Sequence, residues 1–281
     1  MSVAATPGPW TVDSPCGPGC LPASGTTPSA PLSVRLLRYA GLGGIILLGL
    51  PLSMVLRIAG TRTRSWLIRR WCGGVLAVLG VRLRVTGDLP LAPRGTMVVA
   101  NHVSWLDVPA LGAVQPLRML AKLEVASWPV IGVLATMSGT VYLDRHRLRS
   151  LPATVATLAR LLRGGATPLV FPEGTTFCGR SPGRFRPATL QAVVDAAARV
   201  RPVGIRYRLA DGRPCTVAAY VGDDSLFASL RRVVGTAGLI VELRALPLID
   251  GAGSDRRTLT RHAEASVRTT APAAGGPVCG P

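Results

Sequence analysis

The chain has 281 residues, of which 48% are hydrophobic, and its mean hydropathy is +0.37. This length suits one large α/β domain with an anchor, and the hydropathy is too low for a chain built mostly of membrane spans. Lys and Arg number 32 against 14 acidic residues, and the formal charge of +18 predicts anionic partners. Aromatic residues make up only 5% and do not alternate with basic ones, which argues against nucleic acid.

The first 81 residues predict a tail followed by an anchor. Residues 1–34 are rich in Pro, Gly and Ser, a composition that cannot bury a core, and are predicted to be disordered. Residues 35–81 are predicted to anchor the chain in a membrane. Tyr39–Leu56 is uncharged and just long enough to span a bilayer, whereas Trp71–Val81 is too short and suggests an interfacial or re-entrant helix. The alternative is that the first stretch is a buried core helix.

Residues 82–270 alternate short apolar runs with amphipathic stretches, and residues 271–281 return to Pro and Gly as a second disordered tail. The predicted fold is an α/β domain with a mixed sheet flanked by helices. The predicted strands are Arg82–Thr86, Thr96–Ala100, Thr140–Leu143, Pro168–Phe171, Arg201–Tyr207, Thr216–Tyr220 and Leu239–Leu246. The predicted helices are Pro109–Val114, Ser127–Thr136, Ser150–Arg163, Pro187–Val200, Ser225–Val234 and Arg256–Val267.

The cysteines do not suggest a disulfide framework, because they are scattered through a chain too long to need one. They stand at positions 16, 20, 72, 178, 215 and 279. Cys16 and Cys20 are close in sequence, but no histidine or second cysteine pair stands at zinc-site spacing. His146 and His262 also lack partners at ligand spacing. The sequence therefore predicts free thiols and no metal.

The predicted strand Thr96–Ala100 is followed by Asn101 and then by His102, with Asp107 five residues further on. Reactive groups of α/β proteins are commonly placed where a strand ends. An imidazole can take a proton from an attacking hydroxyl when a carboxylate holds its tautomer. The alternative is a structural histidine. Ser104 lies nearby, but the sequence has no G-x-S-x-G elbow of a serine hydrolase.

Two further polar loops are expected to open near the same edge of the sheet. Glu173, Gly174, Thr175 and Thr176 follow the predicted strand that ends at Phe171, and this loop offers hydrogen-bond acceptors and donors to a polar head group. The run Gly139–Arg145 ends another strand with an arginine, whose guanidinium suits a phosphate. The alternative for Arg145 is a solvated surface charge.

Together these blocks resemble the 1-acylglycerol-3-phosphate acyltransferases. His102 and Asp107 form an H-x4-D box, and three later blocks follow in that family's order: Gly139–Arg145, Phe171–Thr175 and Val200–Ile205. The resemblance covers roughly residues 80–210, and four ordered blocks are far more specific than any one.

The resemblance implies a role for each site residue. It makes His102 the general base on the acceptor hydroxyl and Asp107 the group that orients it, with direct attack on a thioester and no acyl-enzyme. Arg145, Glu173, Gly174 and Thr175 are implicated in binding the acceptor. Pro202 is expected to be structural or acyl-binding. No cofactor is implied.

The resulting prediction is an acyltransferase that uses acyl-coenzyme A or acyl carrier protein and a lysophospholipid, with its catalytic domain at the cytoplasmic face of a membrane. 1-Acylglycerol-3-phosphate, or lysophosphatidic acid, is the preferred acceptor. Many members of the family carry an arginine where this chain has Thr176, so a lyso-ornithine lipid or another lysolipid is the alternative. Arg180, Arg184 and Arg186 could replace the missing charge. A membrane scaffold that binds anionic lipids, and a hydrolase, are the remaining alternatives.

Overall fold

A single mixed sheet lies at the centre of the molecule. The computed structural model describes residues 14–23, 25–88, 91–128, 131–144, 148–180 and 182–270. Within these ranges the strands are β1 (Arg82–Thr86), β2 (Thr96–Ala100), β3 (Arg118–Lys122), β4 (Val141–Leu143), β5 (Pro168–Val170), β6 (Arg199–Arg208), β7 (Ile240–Ala245) and β8 (Ile249–Asp250). Their order is β1-β7-β6-β2-β5-β3-β4, and β8 pairs with β6.

Strand β2 lies in the middle of this sheet and is buried on both faces. Val98 and Ala100 belong to one hydrophobic core, while Met97 and Val99 belong to the other. The two cores form because successive side chains of a strand point to opposite faces. β2 is parallel to both of its neighbours, β5 and β6, so the carboxyl ends of all three strands open at one edge.

Helices cover both faces of the sheet, which confirms the predicted fold class. They are α1 (Leu32–Ile58), α2 (Thr61–Val78), α3 (Asp107–Val114), α4 (Ile131–Met137), α5 (Leu151–Arg163), α6 (Gln191–Asp195), α7 (Leu226–Gly235) and α8 (Arg256–Arg268). β6 runs antiparallel to β7 and β8, whereas the other pairs of described strands are parallel. The sheet is therefore mixed but mostly parallel.

Helix α1 is long and apolar enough to cross a membrane over Leu32–Leu56, by length and composition. Only 18% of its most apolar window is buried, so the alternative of a buried core helix does not fit. α1 packs against α2, where the Trp71 indole N–H donates to the carbonyl of Ile45 at 3.2 Å. The short apolar stretch Trp71–Val81 is the end of α2 and its turn rather than a separate helix.

The predicted N-terminal tail is wrong for the part that the structure describes. Cys16 and Cys20 are buried in the core, and the N–H of Ala30 donates to the carbonyl of Gly235 at 2.9 Å. The carbonyl of Pro28 in turn accepts from Ala237 at 2.8 Å. Proline and glycine content alone misses this, because a few apolar side chains suffice to dock an irregular segment on an existing surface. Residues 1–13 and 271–281 lie outside the described ranges.

Several element predictions also need correction. Thr216–Tyr220 is not a strand. Its apolar residues reflect burial in a loop, and the Tyr220 N–H donates to the carbonyl of Val103, which also lies in a loop. The helix predicted over Pro187–Val200 is confined to α6, and Ala197, at a φ of +46°, separates it from β6. Strands β3 and β8 were not predicted.

The thiol prediction holds for four of the described cysteines, Cys16, Cys72, Cys178 and Cys215. It is wrong for Cys20, which is disulfide-bonded. Sequence spacing could not indicate this bond, because a disulfide requires that two sulfur atoms meet in space. Cys279 lies outside the described residues.

Candidate active site

The histidine and aspartate of the H-x4-D box form a hydrogen-bonded pair at the carboxyl end of β2. His102 Nδ1 lies 2.8 Å from Asp107 Oδ2. Asp107 begins helix α3, and the intervening turn folds the chain back so that the aspartate faces the histidine. The His102 side chain keeps 21% exposure, whereas the Asp107 side chain is fully buried. The pair therefore has one reachable end, the histidine.

Four donors hold the Asp107 carboxylate. Besides His102, its Oδ2 accepts from the backbone N–H groups of Val103 at 2.7 Å and Ser104 at 2.9 Å. Its Oδ1 accepts from the Tyr207 hydroxyl at 2.6 Å. Hydrogen bonds of this kind hold the carboxylate in one orientation. A carboxylate held beside the ring fixes the tautomer and the orientation of the histidine.

Stacking fixes the plane of the His102 ring. The ring lies on Phe171 with centroids 4.0 Å apart and an interplanar angle of 11°. Because Nδ1 is taken by Asp107, Nε2 is the nitrogen that can accept a proton from a substrate hydroxyl. The arrangement suits a general base of fixed orientation.

Glu173 supports this site from the neighbouring loop after β5. Its Oε2 accepts from the backbone N–H of His102 at 2.6 Å, and its Oε1 accepts from that of Gly183 at 2.8 Å. Burial raises the pKa of Glu173 from 4.5 to about 7, against the lowering effect of these two bonds. The Asp107 charge also contributes to this rise. Glu173 thus connects the loop after β5 to the loop after β2, and the sequence predicted that these loops open at the same edge of the sheet.

Comparison with known proteins decides the family. A family model described as Acyltransferase matches residues 82–206, a range that contains His102, Asp107 and Glu173. A lyso-ornithine lipid O-acyltransferase of Pseudomonas aeruginosa is 39% identical over 240 residues, which cover 83% of this chain and 92% of that protein. The chain belongs to the acyltransferase family.

Further relatives of this acyltransferase act on lysolipids by name. A 1-acyl-sn-glycerol-3-phosphate acyltransferase of Neisseria meningitidis serogroup B is 36% identical over 196 residues, which cover 69% of this chain and 76% of the relative. The crystal structure of the lysophosphatidic acid acyltransferase PlsC of Thermotoga maritima shares the fold, with a TM-score of 0.66 and 22% identity, over 85% of this chain and 93% of that one. The chain is therefore a lysolipid acyltransferase.

The remaining predicted site residues of the acyltransferase have distinct places. Gly174 turns the loop after β5 with a φ of +80°, and its N–H donates to Phe171 at 3.0 Å. Thr175 follows in the same loop, half-buried. Pro202 is buried within β6, where its carbonyl accepts from Leu246 at 3.0 Å. Arg145 lies outside the described residues, and so does His146.

Pro202 occupies a position in β6 that tolerates proline. β6 pairs with β8 through Arg199 and Val200, and with β7 from Val203 onward. Proline has no N–H to donate. Pro202 lies between the residues that pair with β8 and those that pair with β7, so the missing N–H interrupts the hydrogen bonds to neither of these two strands. Whether Pro202 is structural or acyl-binding stays a prediction.

The acyltransferase site also contains residues that were not predicted for it. Tyr207 holds Asp107, and the side chain of Asn101 bridges both backbone groups of Ile205, at 3.0 and 2.8 Å. Arg206 lines the small pocket beside His102 and also the adjoining pocket that contains Arg180. Arg206 and Tyr207 directly follow the fourth block in sequence. Strand alternation places their side chains on opposite faces of the sheet, but it does not predict that Tyr207 is the one that contacts Asp107.

Proposed function

We propose that this lysolipid acyltransferase uses His102 as general base and Asp107 as its orienting partner. The 2.8 Å contact between Nδ1 and the buried carboxylate carries this proposal. A scaffold that only bound lipid would have no use for a fixed imidazole with one accessible nitrogen. Glu173 is a positioning residue in this proposal, because both of its oxygens accept backbone N–H groups.

The reaction is a direct acyl transfer. His102 Nε2 takes the proton of the acceptor hydroxyl as its oxygen attacks the thioester carbonyl. The tetrahedral intermediate then expels the thiolate of the carrier, which takes the proton from the imidazolium. The products are a new ester and a free thiol, and no acyl-enzyme or cofactor takes part. Acyl-coenzyme A and acyl carrier protein are the proposed donors.

Lysophosphatidic acid is the proposed acceptor because of the arginines next to His102. Arg206 lines the same pocket as His102 and Glu173, and Arg180 and Arg208 line the adjoining pocket. Burial and the neighbouring Arg208 lower the pKa of the Arg206 guanidinium, so a phosphate there would relieve repulsion between like charges. Roles for Arg145, Gly174 and Thr175 in binding this acceptor stay predictions.

A lyso-ornithine lipid is the second candidate, and one observation favours it. Identities of 39% and 36% to relatives of the two names do not separate the acceptors, but position 176 does bear on them. Thr176 replaces an arginine of many lysophosphatidic acid enzymes, and its hydroxyl donates to the carbonyl of Tyr220 rather than facing a ligand. The two acceptors differ in head-group charge: a phosphate dianion in one, a carboxylate with an ammonium group in the other.

The proposed setting is the membrane surface, with the catalytic domain on the cytoplasmic side. Leucines on α1 are exposed, among them Leu37, Leu47 and Leu48. Large exposed apolar surface on one long helix is typical of contact with lipid. Residues 35–81 then form the anchor, and the thioester donor reaches the site from the cytoplasm.

The test is transfer of a labelled acyl group by purified membranes that contain the wild type, His102→Ala or Asp107→Asn. General base catalysis contributes about 10²–10⁴-fold, so both variants are expected to lose activity on that scale while keeping their level in the membrane. Equal activity of all three proteins would contradict the mechanism.

The acceptor is tested in the same assay with lysophosphatidic acid and a lyso-ornithine lipid side by side. Arg206→Gln is expected to raise KM for lysophosphatidic acid much more than for the lyso-ornithine lipid. Arg62→Gln removes the same charge from an exposed position on α2 and serves as the control. A wild type that acylates only the lyso-ornithine lipid would leave the chemistry intact and replace the proposed acceptor.

A further inference from the structure

Three cysteines from distant parts of the sequence meet beside the active-site loops. The sulfur atoms of Cys16, Cys20 and Cys178 all lie within 4.8 Å of one another, and all three residues are buried. Thiolates bind a tetrahedral metal at about 2.3 Å, so sulfur atoms this close can share one ion. Among the described residues, these three cysteines form the cluster of possible ligand side chains that could hold a metal ion.

A turn and two hydrogen bonds hold the backbone around these cysteines in place. A 3₁₀ turn at Pro18–Cys20 brings Cys16 and Cys20 to the same place, a C-x3-C spacing within the range seen in zinc sites. The Cys178 N–H donates to the Cys16 sulfur at 3.3 Å. Thr216 fixes the other end of the turn by donating to the carbonyl of Cys20 at 2.7 Å.

We propose that Cys16, Cys20 and Cys178 bind a zinc ion as thiolates. Soft thiolate ligands select zinc over magnesium or calcium. Binding releases the protons of the three thiols, and water takes the fourth position of the tetrahedron. The site is structural and separate from the acyl-transfer chemistry.

Cys20 is disulfide-bonded in this structure to a cysteine other than Cys16 and Cys178, which are free thiols, so the metal-bound form requires that this bond be reduced. A cellular dithiol supplies the two electrons and two protons, is itself oxidised to a disulfide, and frees the Cys20 thiol to bind the ion. If the domain faces the cytoplasm, as proposed above, cellular thiols keep cysteines reduced and the metal-bound form prevails.

A metal at this position would join three segments around the active site. Cys178 directly follows Phe177, whose N–H donates to the carbonyl of His102 at 2.8 Å. Cys16 and Cys20 belong to the segment that leads into α1. The ion would therefore tie the entrance of the anchor helix to the loop that borders the catalytic histidine.

The first test is the metal content of the full-length wild type, purified in detergent under reducing conditions without chelator. Elemental analysis is expected to give about one zinc per chain. Replacement by Co²⁺ is expected to add the near-ultraviolet absorption of thiolate-to-cobalt charge transfer. A protein without zinc that also fails to take up Co²⁺ when reduced would overturn the proposal and leave the disulfide as the function of Cys20.

Matched cysteine variants locate the site. Cys16→Ala and Cys178→Ala are expected to lose the zinc and the cobalt absorption, whereas Cys72→Ala and Cys215→Ala, also at buried cysteines, keep both. A chelator is expected to lower the Tm of the wild type but not that of Cys178→Ala. Equal zinc content in all four variants would contradict the assignment, and none of these readouts depends on acyltransferase activity.

Discussion

At the residue scale, the site depends on how Asp107 is bonded. Its side chain is fully buried, yet both oxygens accept hydrogen bonds, three from the loop after β2 and one from Tyr207 on β6. Tyr207 is itself buried, and burial followed by the Asp107 charge raises the pKa of its hydroxyl, so it stays a donor at any physiological pH. The proposed catalytic pair, His102 and Asp107, is thus held by the loop after β2 and by β6.

Tyr207→Phe is expected to lower kcat by about 10-fold with little change in KM, because it removes a bond that orients Asp107 but touches no substrate. The free energy of unfolding should fall by about 1–3 kcal/mol, since Asp107 Oδ1 is left buried without this donor. Steady-state kinetics and denaturant unfolding measure the two effects. Tyr220→Phe keeps its backbone bond to Val103 and serves as the control; an equal loss of kcat there would refute the role of Tyr207.

Glu173→Gln is expected to change how stability depends on pH. In the folded protein the pKa of Glu173 is raised from 4.5 to about 7, so the folded state binds its proton more tightly than the unfolded state. The tighter proton binding of the folded state stabilises it at low pH, and this stabilisation is lost as the pH rises from 4.5 through about 7. The free energy of unfolding of the wild type, relative to Glu173→Gln, should therefore fall by about 1–3 kcal/mol between pH 4.5 and 8.

Chemical denaturation at a series of pH values measures this difference. Glu242→Gln, which removes a partly exposed carboxylate paired with Arg208 at 2.9 Å, is the control and should not produce the same dependence. A difference between the wild type and Glu173→Gln that stays constant with pH would show that Glu173 does not titrate in this window.

At the scale of elements, Arg38 fastens helix α1 to helix α7. Its guanidinium Nη1 donates to the carbonyls of Val234 and Thr236, each at 2.8 Å, where α7 ends. Carbonyls at a helix C-terminus lack intrahelical partners and carry partial negative charge, so a cation is well placed there. The orientation of α1 relative to the sheet depends on this contact.

Arg38→Met is expected to lower the free energy of unfolding by about 1–3 kcal/mol, because two carbonyls lose a charged donor. Limited proteolysis should also cut the junction between α1 and the domain faster. Arg62→Met makes the same change of side chain at an exposed position of α2 and should have neither effect. Equal proteolysis of both variants would mean that Arg38 does not hold the junction.

At the scale of the whole molecule, charge and apolar surface both favour the proposed binding to a membrane. The formal charge of +18 attracts anionic lipid head groups, and salt screens that attraction. The exposed leucines of α1 provide a second interaction that salt does not weaken. Membrane binding is therefore expected to resist high salt.

Replacing Leu47 and Leu48 by arginine should abolish this resistance. A charge near the centre of an inserted helix costs about 2.5–3.5 kcal/mol, and both leucines are about two-thirds exposed, at 68% and 66%. The double variant is expected to leave membranes during an alkaline carbonate wash, whereas Leu47→Ala/Leu48→Ala stays. Equal retention of the two double variants would contradict insertion of α1.

Local sequence predicted the features that depend on short-range order. Strand β1 and strand β2 have the predicted bounds, and the two loops after β2 and β5 meet because parallel strands share a carboxyl edge. The H-x4-D spacing predicted the contact between His102 and Asp107, since five residues form one turn at the start of a helix. The H-x4-D box, followed by three later blocks in the family's order, indicated the acyltransferase family.

Tertiary structure alone decided the contacts between distant residues. Tyr207 reaches Asp107 across 100 positions of sequence, and Cys178 reaches Cys16 across 162. Glu173 was expected to contact substrate, yet it bonds the backbone of His102. The sequence shows which side chains are present and, within a strand, which of them share a face. The partner of a buried polar group depends on which distant segment packs against it, and that is decided only in the folded structure. For this acyltransferase the sequence predicted the contact between His102 and Asp107, and packing of distant segments decided which residues, Tyr207 and Glu173, support that pair.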